Sequence, residues 1–201
     1  MGCEMPRTMT RQRLIDAGVQ RFYRDGFRNV GIDQILGDVG ISKTAFYKHF
    51  ESKEDLMLAA LEDYNGRVQQ MFRGLMRELG GPSAIGQLNA LMDVVERIIE
   101  TEGFQGCIFV NAAIEFPLAH EPAHVAAAES KQAIEDLVCE FALAAGAAEP
   151  RMVARQLCLI MEGAYVTRHV TGNKQTVDVA RRLARLVIAA GCPQDSFVAT
   201  S

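Results

Sequence analysis

Lys43, Lys48 and Lys53 recur five residues apart in Gly40-Ile41-Ser42-Lys43-Thr44-Ala45-Phe46-Tyr47-Lys48-His49-Phe50-Glu51-Ser52-Lys53. Three aromatic rings, a histidine and hydroxyl groups lie among them. Ammonium and hydroxyl groups at this density suit a polyanion. The chain around them is acidic, with a formal charge of -4 over 201 residues. That balance argues against indiscriminate polyanion binding. It leaves room for a local basic face, because screening confines each charge to about 10 Å.

Two other groupings could do chemistry. His120-Glu121-Pro122-Ala123-His124 fits the H-E-x-x-H pattern of zinc hydrolases. That chemistry needs both histidines on one helical face, with Glu121 as base. Pro122 suits the first turn of a helix instead, which leaves His120 outside it. Cys107 follows Gly106 at a helix start, a setting in which thiols become reactive. A redox or electrophile sensor and a structural cysteine are both open there. No nucleophile-elbow motif and no Gly-rich phosphate loop occurs, so no catalytic residue, cofactor or metal is assigned.

Composition sets the frame. With 49% hydrophobic and 23% charged residues, the chain reads as globular. No apolar run approaches the roughly 20 residues of a membrane span. The start, Met1-Gly2-Cys3, lacks an apolar signal core, and Pro6 occupies the position where myristoylation wants Ser or Thr. Cys3, Cys107, Cys139, Cys158 and Cys192 are odd in number and have no C-x-x-C spacing. Free thiols and a reducing, cytoplasmic setting are expected.

The elements that must position these groups are helices only. The apolar spacing predicts helices over 11–25, 32–39, 42–50, 52–79, 83–100, 107–116, 123–145, 151–170 and 176–190. Thr10, Ser42 and Ser52 are N-cap candidates, and Gly26 and Gly40 permit sharp turns. Helices 32–39 and 42–50, joined by a tight Gly turn, form a helix-turn-helix. Projected at about 100° per residue, Ala45, Phe46, His49 and Phe50 share one side of the second helix. Lys43, Thr44, Tyr47 and Lys48 share the other. A B-DNA major groove, about 12 Å wide, admits one such helix. Its leading end, with Lys43 and Thr44, then faces base edges and phosphates. Lys53 sits near the next helix start, which also favours a phosphate. Arg28 precedes the first of the two helices and can reach the flanking backbone or minor groove. A solvated helix face with ordinary lysines, or a basic helix that binds a protein partner, is the competing reading.

Residues 11–56 resemble the DNA-binding domain of TetR-family regulators. "RLIDAGVQRFYRDGF", "IDQIL" and "VGISKTAFYKHFESKEDL" carry the resemblance. It implies an all-α protein with a three-helix DNA-binding domain at 10–55; the residues ahead of it, 1–9, read by themselves as a disordered tail. A helical effector-binding and dimerisation domain would follow at 56–201. It also implies DNA contacts by Lys43, Thr44, Tyr47, His49 and Lys53. Val30-Gly31 departs from the family's Thr or Ser before the second helix, and Thr44 replaces its usual Gly. "GCIFVNAAIEFP", 106–117, resembles a segment found in a subset of the family. The implied partners are a palindromic double-stranded operator, a second copy of the chain and a small apolar or reactive effector. No membrane partner is expected.

The last two helices carry two apolar stripes each, where one buried side needs only one. Val153, Leu157, Ile160, Ala164, Ala180, Leu183 and Val187 are assigned to the twin contact. The other stripe comprises Met152, Leu159, Gly163, Val166 and Val170, with Val179 and Leu186. A fully internal helix pair in a monomer is the alternative. Met92, Phe104, Cys107, Phe109, Phe116, Phe141, Met161 and Tyr165 are candidates to line an effector pocket. A methionine and aromatic set at helical spacing also suits plain core.

Overall fold

The apolar spacing is helical almost throughout, and the backbone follows it. The computed structural model describes residues 7–193. It has helices α1 (Arg7–Asp25), α2 (Ile32–Val39), α3 (Lys43–Phe46), α4 (Lys53–Gly80) and α5 (Ala84–Asn89). These are followed by α6 (Leu91–Ile99), α7 (Ile108–Glu115), α8 (Pro122–Ala144), α9 (Pro150–Thr171) and α10 (Thr176–Gly191). No strand occurs among the described residues. Residues 1–6 of the expected tail, with Cys3, lie outside the described residues. Arg7, Thr8 and Met9 belong to α1, so that helix starts ahead of the Thr10 cap.

Two elements differ from their sequence patterns. The helix expected over 83–100 divides at Ala90 into α5 and α6. At this break Asn89 Nδ2 donates to Ile85 O at 2.9 Å, a side-chain bond that competes with the helical ladder. The helix expected over 42–50 is α-helical only from Lys43 to Phe46. Beyond it the winding tightens: Lys48 N bonds Ala45 O at 3.3 Å and His49 N bonds Phe46 O at 2.8 Å.

The described residues form two compact units. One comprises the chain up to Val68 together with Cys107–Lys131. Its core joins Leu14, Phe22, Phe27, Ile35, Phe46, Phe50, Leu56 and Leu61 to Ile108, Phe109 and Ala112 of α7 and Ala123 and Ala127 of α8. Each such buried Leu or Phe stabilises the fold by about 1.5–3 kcal/mol. The other unit comprises Gln69–Gly106 and the chain from Gln132 onward. Met92, Val95, Val138, Phe141, Val153, Leu157, Met161, Ala180 and Ile188 are buried in it. Arg181 of α10 ties to α6 through Asp93 and Glu96, at 3.1 Å and 2.7 Å. Gly172, at φ 66°, ends α9 with its N–H on Arg168 O. α4 and α8 each begin in the first unit and end in the second.

The turn from α4 to α5 depends on two glycines in contact. A Cβ on Gly80 would lie 2.2 Å from Gln87 Cα, and one on Gly86 would lie 2.3 Å from Gly80 O. Both obstacles are backbone and cannot rotate away. Gly80→Ala is therefore expected to lower stability by about 1–3 kcal/mol. Gly74→Ala, in the same helix with open space around its Cβ, is expected to raise it by about 0.5–1 kcal/mol. Urea midpoints of the two variants check this; equal shifts would refute the close-packing account.

Candidate nucleic-acid interface

The site is built on local caps and one hydrophobic anchor. α2 starts at Gly31, whose N–H bonds Gln34 Oε1 at 2.8 Å. Gln34 thus satisfies a donor that the absent Ser or Thr side chain could not reach. Gly40, at φ 74°, closes α2 with its N–H on Leu36 O. Ser42 Oγ accepts from Ala45 N at 3.2 Å and starts α3. Ser52 Oγ accepts from Asp55 N at 3.0 Å, while Asp55 Oδ2 accepts from Glu51 N at 2.9 Å. These two bonds open α4 at once after the turn.

Phe46 is fully buried and Phe50 nearly so. Their rings lie 5.8 Å apart, and Arg11 sits over Phe50 at 5.0 Å. Burying these two forces their neighbours outward. Thr44 and Lys48 are exposed, and Tyr47 is 57% exposed with its ring edge-on to Phe46. His49 is half-buried, on the inner edge of the face. Lys43 is exposed, and Asp33 of α2 bonds its ammonium at 2.9 Å. That carboxylate holds the Lys43 ammonium above its ordinary pKa. Lys53 is half-buried, with Nζ 3.5 Å from Arg28 O.

α1 holds α2 in place through Arg13, which donates to Val39 O at 2.7 Å, and through Arg21. Arg21 grips Asp38 with two bonds, at 2.5 Å and 2.7 Å. It also reaches Asp25 at 3.2 Å. Bonds from Arg24 and Arg21 lower the Asp25 carboxyl to about 2.

Arg28 is engaged within its own unit. Glu115, the last residue of α7, accepts from Phe27 N at 2.9 Å and from Arg28 N at 2.7 Å. Arg28 Nε donates to Glu115 O at 2.8 Å, and the guanidinium sits over Phe116 at 5.0 Å. The α1–α2 turn is thus held by a residue far along the chain. Neither Glu115 nor Asp33 was singled out from the sequence as part of the site. Asp33 had only the signal of an acid in a first helical turn, and Glu115 had none.

The other candidates separate. Glu121 accepts from Leu118 N, and His124 Nδ1 donates to Phe116 O at 2.9 Å. α8 begins at Pro122, so His120 lies outside it. His120 and Glu121 lie in the turn ahead of α8, whereas His124 lies within its first turn. Among the described residues no three His, Cys, Asp or Glu side chains gather as a metal site would need. Of the pocket candidates, Cys107, Phe109 and Phe116 belong to the first unit, and Met92, Phe104, Phe141, Met161 and Tyr165 to the second. Phe109 is core, and Phe116 packs edge-on to Phe27 at 6.3 Å. Met92, Phe141, Met161 and Tyr165 are buried, while Phe104 contacts Tyr165 at 5.8 Å and His169 at 6.4 Å. Half-buried Cys107 caps α7, with Lys131 Nζ 3.1 Å from its sulfur.

The residues assigned to a twin contact also divide. Val153, Leu157, Ala164 and Ala180 are buried in their own unit, Ile160 and Val187 are half-buried, and Leu183 is exposed. The exposed stripe is the other one: Met152, Leu159, Val166, Val170, Val179 and Leu186 join Leu183. Nothing lies within 4 Å of a Cβ built on Gly163. A groove of about 470 Å³ runs along this stripe between α9 and α10.

Residues 14–60 match the model of bacterial regulatory proteins of the tetR family. Residues 84–184 match that of the tetracyclin repressor-like C-terminal domain. The HTH-type transcriptional repressor DhaR of Mycobacterium sp. (strain GP1) is 30% identical over 111 residues, 55% of this chain and 54% of DhaR. The HTH-type transcriptional regulator YjdC of Escherichia coli (strain K12) is 24% identical over 180 residues, 90% of this chain and 94% of YjdC. SCO4454, a TetR-family transcriptional regulator from Streptomyces coelicolor, has a crystal structure that superposes with a TM-score of 0.82 at 27% identity. That match covers 92% of this chain and 96% of SCO4454.

The Glu115 clamp has a direct readout. Glu115→Ala removes the acceptor of two backbone N–H groups, bonds worth about 1.5–3 kcal/mol each when the acceptor is charged. Amide exchange at Phe27 and Arg28 is expected to quicken by about tenfold or more, since 1.4 kcal/mol is a factor of ten. Exchange in α10 should stay as it was. Unaltered protection at both turn amides would show that the clamp is not needed.

Proposed function

This chain belongs to the TetR family of transcriptional regulators, and from that premise we propose that it represses transcription as a homodimer that leaves a palindromic operator when a small effector binds. A DNA-binding helix-turn-helix in a transcriptional regulator is common ground with its relatives. The observation that carries the finer reading is the outward face of α3. Thr44, Tyr47 and Lys48 stand exposed because Phe46 and Phe50 are buried behind them. In this reading that face enters the major groove, with Lys43 and Thr44 leading. His49 and Lys53 meet phosphates. Arg28, held by Glu115, stabilises the turn and contributes little to DNA contact.

The twin packs on the exposed stripe of α9 and α10. Leu159, Val166, Val179, Leu183 and Leu186 supply apolar area, and Gly163 lets the partner helix approach. A twofold contact of this kind is self-complementary and presents two α3 helices to two half-sites, about 34 Å apart. The effector sits in the second unit near Phe104, Met161, Tyr165 and His169. Binding there shifts the population toward a form that cannot span both half-sites. α4 is the covalent route, since it begins in the first unit and ends in the second. A coupling of about 1–3 kcal/mol changes operator affinity roughly 5- to 150-fold.

A second reading of the effector rests on Cys107 and Lys131. An ammonium group beside a sulfur promotes thiol addition to electrophiles. A reactive effector would then add to Cys107 at the start of α7, whose far end holds the α1–α2 turn.

Selection of bound duplexes from random DNA should yield one palindrome for the wild type. Tyr47→Ala is expected to stay dimeric and stable and to bind that palindrome about tenfold or more weakly. Leu159→Glu should give folded monomers in sedimentation, whereas Leu157→Glu, at a fully buried position, should unfold the chain. A dimeric Leu159→Glu would place the twin contact elsewhere. For the second reading, alkylation of the wild type should release the palindrome, and Cys107→Ser should resist release; release from both discards it.

A further inference from the structure

Lys43 leads the outward face of α3, and its ammonium bonds both oxygens of Asp33, at 2.9 Å and 3.1 Å. The two side chains are 62% and 75% exposed. A pair so open to water adds little to folding. A carboxylate on a surface that meets phosphates is repelled by them. It also cancels the charge that Lys43 would bring to any duplex, and with it a share of the counterion release that drives non-specific binding. On a phosphate-binding face alone, Asp33 only weakens binding.

Base edges give the carboxylate a use. Phosphate oxygens are acceptors, so they cannot satisfy a second acceptor. The major groove presents guanine O6 and N7, which suit lysine, beside cytosine N4, an amino donor that suits aspartate. Asp33 and Lys43 offer the matching acceptor and donor side by side. They come from α2 and α3, held together by the Gly40 turn. We propose that Asp33 is a specificity-determining residue: with Lys43 it reads a G·C pair in each half-site, and it cancels the sequence-independent pull of that lysine. This rests on the operator-binding reading above.

The test uses the full-length wild type, Asp33→Ala and Asp33→Asn. Each is put through selection from random duplexes. Each is then titrated against the wild-type palindrome and an unrelated duplex from about 50 to 200 mM salt. Asp33→Ala is expected to bind the unrelated duplex about three- to tenfold more tightly at low salt, with a log–log salt slope steeper by about one per protomer. Its preference for the palindrome should fall about tenfold or more, with one G·C position per half-site becoming degenerate. Asp33→Asn keeps an acceptor oxygen without the charge, so it should show the steeper slope and a smaller loss of preference. Lys43→Ala added to Asp33→Ala should relax no further position. A sharp wild-type consensus that Asp33→Ala reproduces, with the same preference, overturns this inference and leaves the regulator reading intact. Equal weakening toward both duplexes overturns it as well. A wild type that selects no duplex at all removes the operator reading and this inference with it.

Discussion

A helix of four residues has no stability of its own, because nucleating the first turn fixes several torsions for one hydrogen bond. α3 exists because Phe46 is fully buried and Phe50 closes behind it. Everything the surface offers DNA follows from that anchor. With Phe46 inward, Lys43, Thr44 and Tyr47 have no place but outward. Ser42 and Gly40 then set where the short helix starts, and Ser52 begins α4 as soon as the turn is complete.

The core that receives Phe46 is not supplied by the first three helices alone. Ile108, Phe109 and Ala112 of α7 and the first turns of α8 complete it. Glu115 adds a polar clamp on the α1–α2 turn, with Arg28 answering from the other side. α7 therefore has its apolar side in the core of the reading unit and its charged end on the α1–α2 turn. Its first turn carries the Cys107–Lys131 contact. One eight-residue helix thus joins Cys107 to the loop ahead of α2.

Charge in the reading unit is more balanced than its basic residues suggest. Lys43 is matched by Asp33, Arg21 by Asp38 and Asp25, and the Arg28 guanidinium packs over an aromatic ring. Such a surface gains less from bare phosphate attraction than an unmatched one.

The sequence by itself determined the all-helical class, nearly every helix position, the Ser42 and Ser52 caps, the Gly40 turn and the outward set of Lys43, Thr44, Tyr47 and Lys48. These follow from local rules: apolar period, capping chemistry and the freedom of glycine at positive φ. Tertiary structure decided the rest. Which stripe of α9 is buried could not be read, because Leu157 and Leu159 are equally apolar and differ only in what packs on them. The division at Ala90, the Asp33–Lys43 pair and the Glu115 clamp depend on partners brought together by folding. Phe27 and Glu115 are 88 residues apart, and no periodicity in a chain encodes a contact at that separation.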